Sequence, residues 1–245
     1  MHRFFALPQN IKGDVVILSS QEAHHMQKVL RLKTGDKVVV IDGSGNEFLS
    51  RIQSSNAQGA SLAILEKRTG YSSTRPQLCL ACAIPKGAKF HSIIEKSVEL
   101  GVDRIIPLKT ARTIVAPNPD RAVRRLEHWQ KVAVAAAKQS GSNWLLQIER
   151  ISDFKQAIIA AKNYDLALIP YLAGERKSFA EALAGSMGKS IIVFIGPEGD
   201  FTAPEIMLAK KAGCQPVSFG ERVLKVDTAV FYALSCIDFA RQIKR

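Results

Sequence analysis

The sequence predicts an α/β protein in which a small β-rich domain precedes a larger domain with a mainly parallel sheet. Two observations support this division. Short β-type runs with a single helix occupy residues 1–70, whereas apolar runs alternate with helical segments from residue 77 onward. Such alternation is typical of parallel strands, because the chain has to return to the same end of the sheet between two of them and usually does so through a helix. The polar residues 71–76 interrupt both patterns, so the chain divides into domains at 1–70 and 77–245 with a linker at 71–76.

The first domain contains several runs that are rich in β-branched and aromatic residues. Predicted strands lie at Val15–Leu18, Lys37–Ile41, Glu47–Ile52 and Ser61–Leu65. Residues 42–46 (Asp-Gly-Ser-Gly-Asn) form a turn-rich segment that indicates a hairpin between two of these strands. Ser19 and Glu22 have the spacing of a capping box before a helix over Ala23–Leu30. Several short strands with one helix favour a small β-barrel.

The second domain contains five apolar runs that predict strands. These runs lie at Leu78–Ile84, Ile105–Leu108, Leu166–Ile169, Ile191–Ile195 and Pro216–Phe219. Helices are expected at Lys89–Leu100, Arg121–Gln139, Phe154–Ala161, Pro204–Ala212 and Thr228–Arg241. Ligands of such sheets bind beside the carboxyl ends of the strands, where loops lead into helices. The loops after the strands are therefore the first candidates for a functional site.

The chain carries a net charge of +12, from 34 basic and 22 acidic residues. A polyanion such as nucleic acid is the natural partner of a protein with this excess. The stretch from Arg104 to Arg125 holds six basic residues and a single acidic one, so it can contact several phosphates at once. The alternative is that the basic residues near Arg125 form only the solvated face of a helix.

The sequence predicts neither a membrane protein nor a secreted one. No apolar run approaches the roughly 20 residues that a membrane span requires, and Pro8 interrupts the N-terminal apolar residues too early for a signal peptide. We therefore expect a cytoplasmic protein without disulfides. Cys79 and Cys82 have C-x-x-C spacing but lie in an apolar run, so packing is favoured over metal binding and no metal is expected.

Three predicted strand ends, at residues 167–171, 195–202 and 217–228, carry features of a ligand site. Gly196 and Gly199 flank Pro-Glu and would let the backbone approach a ligand closely. In the last segment Val223 and Leu224 lie in a strand-to-helix loop, where they either pack under a neighbour or form the walls of an adenine pocket. Neither a G-x-G-x-x-G nor a G-x-x-x-x-G-K-[ST] pattern is present, which argues against dinucleotide and triphosphate sites of those kinds.

Several short motifs follow one another along almost the whole chain. They are Arg3-Phe4-Phe5, residues 25–32 (His-Met-Gln-Lys-Val-Leu-Arg-Leu), Lys86-Gly87, residues 95–102 (Glu-Lys-Ser-Val-Glu-Leu-Gly-Val), Gln139-Ser140-Gly141, residues 196–199 (Gly-Pro-Glu-Gly) and residues 220–224 (Gly-Glu-Arg-Val-Leu). In this order and spacing the chain resembles the RsmE family of the SPOUT superfamily, the uridine-N3 methyltransferases of small-subunit (16S) ribosomal RNA.

This resemblance implies a PUA-like RNA-binding barrel followed by a SPOUT domain with a deep trefoil knot. It also implies S-adenosyl-L-methionine (SAM) as cofactor and a homodimer that acts on 16S ribosomal RNA or on the assembled small ribosomal subunit. The positions that it assigns to the cofactor are Leu168, Ile169, Pro170, Gly196, Pro197, Gly199, Phe219, Gly220, Val223 and Leu224. RNA contacts are expected from basic residues of the motifs and of the basic stretch, namely Arg3, Lys28, Arg31, Lys86, Arg121, Arg124 and Arg125.

The implied reaction needs help at uridine N3, because this nitrogen carries a proton and is only weakly acidic. A carboxylate can remove the proton, or a cation can stabilise the uridine anion as it forms. Glu198 and Asp227 are the candidates for the first role, and Arg112 and Lys225 for the second. The alternatives are structural, since either carboxylate could instead cap a helix or hold a loop.

The chain departs from the usual family pattern at Lys138, Ser142, Asp200 and residues 225–227. Lys138 replaces an acidic residue, and Asp200 replaces a frequent third glycine. Lys225 keeps a positive charge but lacks the planar fork of arginine. These departures leave two other hypotheses open. In the first, the chain is a SPOUT enzyme with another RNA target. In the second, it is a non-catalytic RNA-binding assembly factor that no longer binds SAM.

Overall fold

A computed structural model describes residues 1–70, 77–87, 89–113, 119–185 and 187–243. The predicted linker at 71–76 lies outside these described residues. The described residues form two compact units, of which the first contains residues 1–70 and Val134–Leu145. The second contains those between 77 and 133 and between 146 and 243. Val134–Leu145 therefore group with the first unit, although the sequence-based division places them in the second domain.

The first unit is built on a sheet with the strand order β1-β4-β5-β6-β3-β2. Its described strands are β1 (Arg3–Phe5), β2 (Ile11–Lys12), β3 (Val15–Ser19), β4 (Lys37–Ile41), β5 (Asn46–Asn56) and β6 (Gly59–Thr69). The predicted hairpin is confirmed, because β4 and β5 pair antiparallel on either side of residues 42–45. Helix α1 (Ser20–His24) and a π-helical turn (His25–Val29) replace the single helix expected after β3.

The core of the first unit comes from inward-facing positions of these strands. In β3, Val16 and Leu18 are buried, as the two-residue period of a half-buried strand requires. Ser19 accepts a hydrogen bond from the backbone N–H of Glu22 at 3.3 Å and so caps α1. The Glu22 carboxylate accepts a hydrogen bond from Lys138 Nζ at 2.7 Å. The reversed charge at position 138 therefore has an acidic partner in this chain.

The second unit contains a sheet with the order β10-β8-β7-β13-β11-β14-β12, and β9 pairs with β8. The described strands are β7 (Gln77–Ala83), β8 (Arg104–Lys109), β9 (Gln147–Ile148), β10 (Ser152–Asp153), β11 (Leu166–Pro170), β12 (Lys177–Ser178), β13 (Ser190–Ile195) and β14 (Gln215–Ser218). Every strand pairing found in the described part of this sheet is parallel. This confirms the α/β class and the mainly parallel sheet predicted for this part of the chain.

Helices connect these parallel strands. They are α2 (Lys89–Glu99), α3 (Pro119–Ser140), α4 (Phe154–Ala157), α5 (Phe179–Ala184), α6 (Ala203–Lys211) and α7 (Val226–Ile243). The helix predicted at Phe154–Ala161 is shorter, because α4 gives way to a 3₁₀ segment at Ile158–Asn163. Helix α7 starts two residues before the predicted start at Thr228. Among the helices described, none combines the length and apolar composition that crossing a bilayer demands.

The two cysteines with C-x-x-C spacing are packing residues of β7. Three positions separate Cys79 from Cys82, so their side chains leave the strand on opposite faces and cannot bind one ion together. Both are buried. Burial raises the pKa of the Cys79 thiol to about 12 and raises the pKa of Cys82 as well, so neither thiol ionises near neutral pH.

Candidate functional site

The carboxyl ends of β11, β13 and β14 lie side by side, because β11 pairs in parallel with both other strands. The loops that follow these strands enclose a cleft, called the strand-end cleft below, whose lining spans Pro170–Leu172, residues 195–200 and the segment from Ser218 to Ala229. Its cavity measures about 80 Å³. A ligand of nucleoside size therefore also has to extend over the rim, where the side chain of Val223 is 73% exposed.

Most residues predicted to bind the cofactor line this cleft, namely Pro170, Gly196, Pro197, Phe219, Gly220, Val223 and Leu224. Leu168 and Ile169 do not, because their side chains are fully buried within β11. Gly199 is a neighbour of the lining and not part of it. The lining also contains residues that were not among the predicted site residues, namely Tyr171, Leu172, Ile195, Asp200, Ser218, Arg222, Val226 and Ala229. The strand-end rule points to all three loops, but it does not say which side chains face inward.

The exposure of Val223 separates the two interpretations of its loop. A valine that packs under a neighbour would be buried, whereas this one has 73% of its surface exposed at the cleft rim. Gly220 precedes it with a φ of +107°, a conformation that favours glycine. Val223 thus presents apolar surface at the cleft rim, as the wall of a ligand pocket does, while its neighbour Leu224 is half-buried.

The loop from Gly196 to Thr202 is anchored by the start of α6. Thr202 accepts a hydrogen bond from the Glu205 N–H at 3.4 Å, and Glu205 Oε2 accepts one from the Thr202 N–H at 2.8 Å, so the two residues form a capping box. The other oxygen of this buried carboxylate accepts a hydrogen bond from the Ala111 N–H at 2.9 Å. The loop is therefore tied to the turn that carries Arg112.

Gly196 is required by packing inside its own loop. A Cβ built at this position would lie 3.1 Å from the ring carbon Cδ2 of Phe201 and 3.3 Å from the Phe201 backbone nitrogen. A side chain at this position therefore requires a shift of a few tenths of an ångström from Phe201, which is buried. The sequence suggests that a ligand approaches this glycine, whereas the structure shows that Phe201 already fills the space beside it. Gly196→Val would therefore disturb the loop before it could report on a ligand.

Asp200 ties two of the three loops together. Its φ of +63° lies in the left-handed region, which explains why glycine is frequent here and why aspartate is tolerated. Asp200 Oδ2 accepts a hydrogen bond from the Leu172 N–H at 3.0 Å, and Oδ1 accepts one from the Phe201 N–H at 2.8 Å. This carboxylate therefore connects the loop after β11 with the loop after β13.

Arg112 lies over the same loop. Thr110 and Thr113 close its turn, since the Thr110 N–H donates to Thr113 Oγ1 at 3.0 Å. The exposed guanidinium of Arg112 donates a hydrogen bond to the carbonyl oxygen of Gly199. A Cβ on Gly199 would lie 3.2 Å from Arg112 Cδ, so the small residue leaves room for the arginine. The structure thus places this predicted catalytic cation directly beside the G-P-E-G loop.

The other predicted catalytic residues occupy different environments. Glu198 is exposed and lines both the strand-end cleft and a second cavity of the same unit. Asp227 lies in the first turn of α7 and forms an ion pair with Lys89 Nζ at 3.5 Å. Lys225 is exposed just before α7. Of the four predicted catalytic residues, Glu198 alone lines the described cavities, and Arg112 contacts the same loop through the Gly199 carbonyl.

The second cavity, called the cation cavity below, measures about 570 Å³. It brings together the four predicted RNA-binding residues of this unit, which are Lys86, Arg121, Arg124 and Arg125. His91 and His128 also line it, with their ring centroids 4.5 Å apart. Sequence reasoning missed these histidines, because residues 91 and 128 come together only when α2 packs beside α3.

The predicted RNA-binding residues of the first unit differ in exposure. Lys28 and Arg31 are exposed, and Arg31 has a φ of +55°. Arg3 is mostly buried, because its guanidinium forms an ion pair with Glu47 at 3.0 Å and donates a hydrogen bond to Asn143. Arg3 therefore also fastens residues 134–145 to the sheet of the first unit, while Lys28 and Arg31 are open to a partner.

Comparisons with known families agree with this geometry. Residues 73–238 match the model of an RNA methyltransferase domain, and residues 18–65 match that of an RNA methyltransferase PUA domain. Ribosomal RNA small subunit methyltransferase E from Synechocystis is 33% identical over 97% of this chain and 77% of its own length. The protein of the same name from Bacillus subtilis is 29% identical over 93% of this chain and 91% of its own length.

Solved structures are similar over nearly the full chain. A methyltransferase from Legionella pneumophila in complex with SAM has a TM-score of 0.87 at 28% identity, over 97% of both chains. Ribosomal RNA small subunit methyltransferase E from Neisseria gonorrhoeae, bound to SAM, has a TM-score of 0.84 at 27% identity. That similarity covers 98% of this chain and 97% of the other.

Proposed function

This chain belongs to the family of RNA methyltransferases that carry a PUA domain, and on this premise we propose that it methylates N3 of a uridine in 16S ribosomal RNA with SAM as methyl donor. The strand-end cleft is the observation that supports this proposal. Three adjacent strand ends meet there, at the edge where parallel sheets bind ligands. The relatives of the same length that bind SAM support this assignment.

The residues of the strand-end cleft fit the chemistry of SAM. Phe219, Val223 and Leu224 offer apolar walls for an adenine ring. The lining carries the carboxylates of Glu198 and Asp200 and the guanidinium of Arg222, so it can pair with both the positive and the negative groups of SAM. Bound in this cleft, SAM would supply an electrophilic methyl group.

The proposed roles of the chain's own residues follow from where they lie. Glu198 faces both cavities, so its carboxylate is placed to accept the proton from uridine N3. Arg112 stabilises the negative charge that develops on the uracil ring. Hydrogen bonds of Glu205 and Asp200 connect the loops that carry these groups and hold them in place before the substrate arrives. Reacting groups that are already oriented need less ordering in the transition state, which increases the rate of methyl transfer.

The RNA is held, in this proposal, by basic residues of both units. Lys86, Arg121, Arg124 and Arg125 line the cation cavity, and Lys28 and Arg31 are exposed on the first unit. Each phosphate contact releases counterions, so the affinity for RNA should fall steeply as salt is raised. The family likeness further supports a trefoil knot in the second domain and a cytoplasmic enzyme that acts on 16S ribosomal RNA or on the assembled small ribosomal subunit.

A homodimer is part of the same proposal. Helix α7 leaves an apolar stripe that contains Tyr232, Phe239 and Ile243, which are 41%, 66% and 68% exposed. Their spacing places them on one face of the helix, together with Cys236. The same helix lines the strand-end cleft with Val226 and Ala229. A second copy of the chain would cover this stripe close to the proposed active site.

Replacing Phe239 with aspartate is expected to convert the dimer into a monomer, because a charge in an apolar interface is desolvated without a partner. Light scattering after size-exclusion chromatography measures the mass. Met207→Asp is the matched control, since Met207 is an apolar residue that is 60% exposed on a different helix, α6, and its replacement should leave the mass unchanged. A wild-type protein that is monomeric at every concentration would contradict the homodimer.

The proposed function is tested by mapping modified nucleotides in 16S ribosomal RNA from cells with and without this protein. Mass spectrometry should find a 3-methyluridine that disappears with the protein. Purified protein with SAM should restore it on small subunits or on naked RNA, and the comparison identifies the true substrate. An unchanged amount of 3-methyluridine in cells without the protein would contradict the proposal. Calorimetry with SAM then separates an enzyme with another target from an assembly factor that binds no cofactor.

Asp200→Gly is expected to weaken SAM binding about three- to tenfold, which corresponds to the loss of one hydrogen bond between loops. Glycine adopts the left-handed backbone without strain, so the melting temperature should stay within a few degrees. Asp200→Asn keeps both a tolerated left-handed residue and an acceptor oxygen, and it should bind SAM almost as the parent does. Equal affinity in the glycine variant would show that the link to Leu172 plays no part in cofactor binding.

A further inference from the structure

The cation cavity has the size and composition of a site for one small ligand. Its volume of about 570 Å³ lies within the range of roughly 300 to 1,000 Å³ that is usual for ligand pockets. Ile84, Pro85 and Phe90 give it an apolar part, and the ring of Phe90 packs against the buried Trp129 with centroids 4.4 Å apart. It is therefore a concave pocket with an organised wall and not a flat basic surface.

Positive charge dominates the polar part of this pocket. Lys86 and three arginines line it, together with the imidazoles of His91 and His128. Among the described residues of the lining, Glu198 is the single carboxylate. Arginine forks and imidazole N–H groups are suited to phosphate oxygens, which accept several hydrogen bonds at once. An anionic group, and most simply a phosphate, is the ligand that this set of donors recognises.

Glu198 links this pocket to the strand-end cleft, because it lines both cavities. A ligand in the cation cavity and a ligand in the cleft would thus lie on two sides of the same carboxylate. A group that reacts with a methyl donor in the cleft has to be presented at this shared residue. The apolar part of the cavity can receive a planar base, while the cations hold its phosphate.

We propose that the cation cavity binds a single uridine nucleotide of the RNA, with its 5′-phosphate, after the base has rotated out of the base stack. His91 and His128 are then additional ligands of the phosphate. This inference rests on the proposed function for the identity of the base. Enzymes that modify a base extrude it into a fitted pocket, since the reacting atom is not accessible within a stacked helix. The pocket is thus a nucleotide site, distinct from a surface that only follows the RNA backbone.

The test uses uridine 5′-monophosphate as probe and the full-length protein, with binding measured by isothermal titration calorimetry. Wild-type protein should bind the monophosphate at least tenfold more tightly than uridine, because the cations act on the phosphate. Arg124→Ala and His128→Ala should each weaken this binding at least fivefold. Arg150→Ala removes an exposed arginine that lines neither cavity, so it should bind the probe as wild type does.

SAM binding is measured on the same variants as a check of folding, and all of them should retain it. The proposal is overturned if Arg124→Ala and His128→Ala bind the monophosphate like wild type, or if wild type does not bind it at millimolar concentration. Competition between the monophosphate and SAM would also overturn it, because the probe would then occupy the strand-end cleft.

Methylation of 16S ribosomal RNA is assayed separately, so that the two proposals can fail independently. An active wild type whose pocket variants keep their KM would refute the nucleotide pocket and leave the function intact. A wild type that transfers no methyl group, but whose variants lose the monophosphate, would refute the function and leave the pocket intact.

Discussion

Arg112→Ala is expected to lower the single-turnover rate of methyl transfer about a hundredfold, as the loss of one preorganised donor to a developing negative charge typically does. The side chain is exposed and donates to the Gly199 carbonyl, so its removal should change the stability by less than about 0.5 kcal/mol. Saturating RNA in a single-turnover experiment separates the chemical step from weakened binding.

Two further variants make the test of Arg112 specific. Arg112→Lys should recover only part of the rate, because a point charge cannot donate to the Gly199 carbonyl and to the uracil in the way that a planar fork can. Lys109→Ala removes a neighbouring cation of β8 that pairs with Asp153 at 3.4 Å, and it should leave the rate of methyl transfer almost unchanged. Full activity of Arg112→Ala would exclude the arginine and make Lys225 the leading candidate.

Glu198→Gln is expected to reduce methyl transfer by about two to four orders of magnitude at neutral pH, the usual range for loss of a general base. The amide keeps the shape of the side chain, so SAM affinity and the melting temperature should be close to those of the parent. The rate of the variant should rise as the pH becomes alkaline, because uridine N3 then loses its proton to solvent. A purely structural role of Glu198 would produce no such recovery.

Asp227→Asn distinguishes the two carboxylates that the sequence suggests. Asp227 pairs with Lys89 and does not line a described cavity, so its replacement should act mainly through the contact of α7 with α2. A loss of rate with alkaline recovery in Asp227→Asn, and not in Glu198→Gln, would reverse the assignment of the base.

The sequence by itself determined the parallel sheet of the second unit. The run predicted at Leu78–Ile84 is β7 (Gln77–Ala83), and that at Ile191–Ile195 lies within β13. These strands can be predicted because a parallel strand covered on both faces is apolar throughout its length. Short elements could not be predicted in this way. Helix α5 (Phe179–Ala184) is less than two turns long, too short for a helical period to emerge from six residues.

The three loops of the candidate site were also evident from the sequence, because the ends of buried parallel strands meet at one edge of a sheet. Their inward-facing side chains were not. Leu168 and Ile169 are fully buried on the two faces of β11, and the space beside Gly196 is filled by Phe201. Such orientations depend on what packs against a residue from distant parts of the chain, and local sequence patterns do not contain that information.

Only the tertiary structure decided which distant residues act together. The buried Glu205 reaches back 94 positions to the Ala111 N–H, and the Asp200 carboxylate connects two loops through Leu172. His91 and His128 join the basic residues in one cavity because α2 lies beside α3. Periodicity describes neighbours in the chain, whereas a site is made by the closure of long loops, whose free energy is supplied by burial of the whole core.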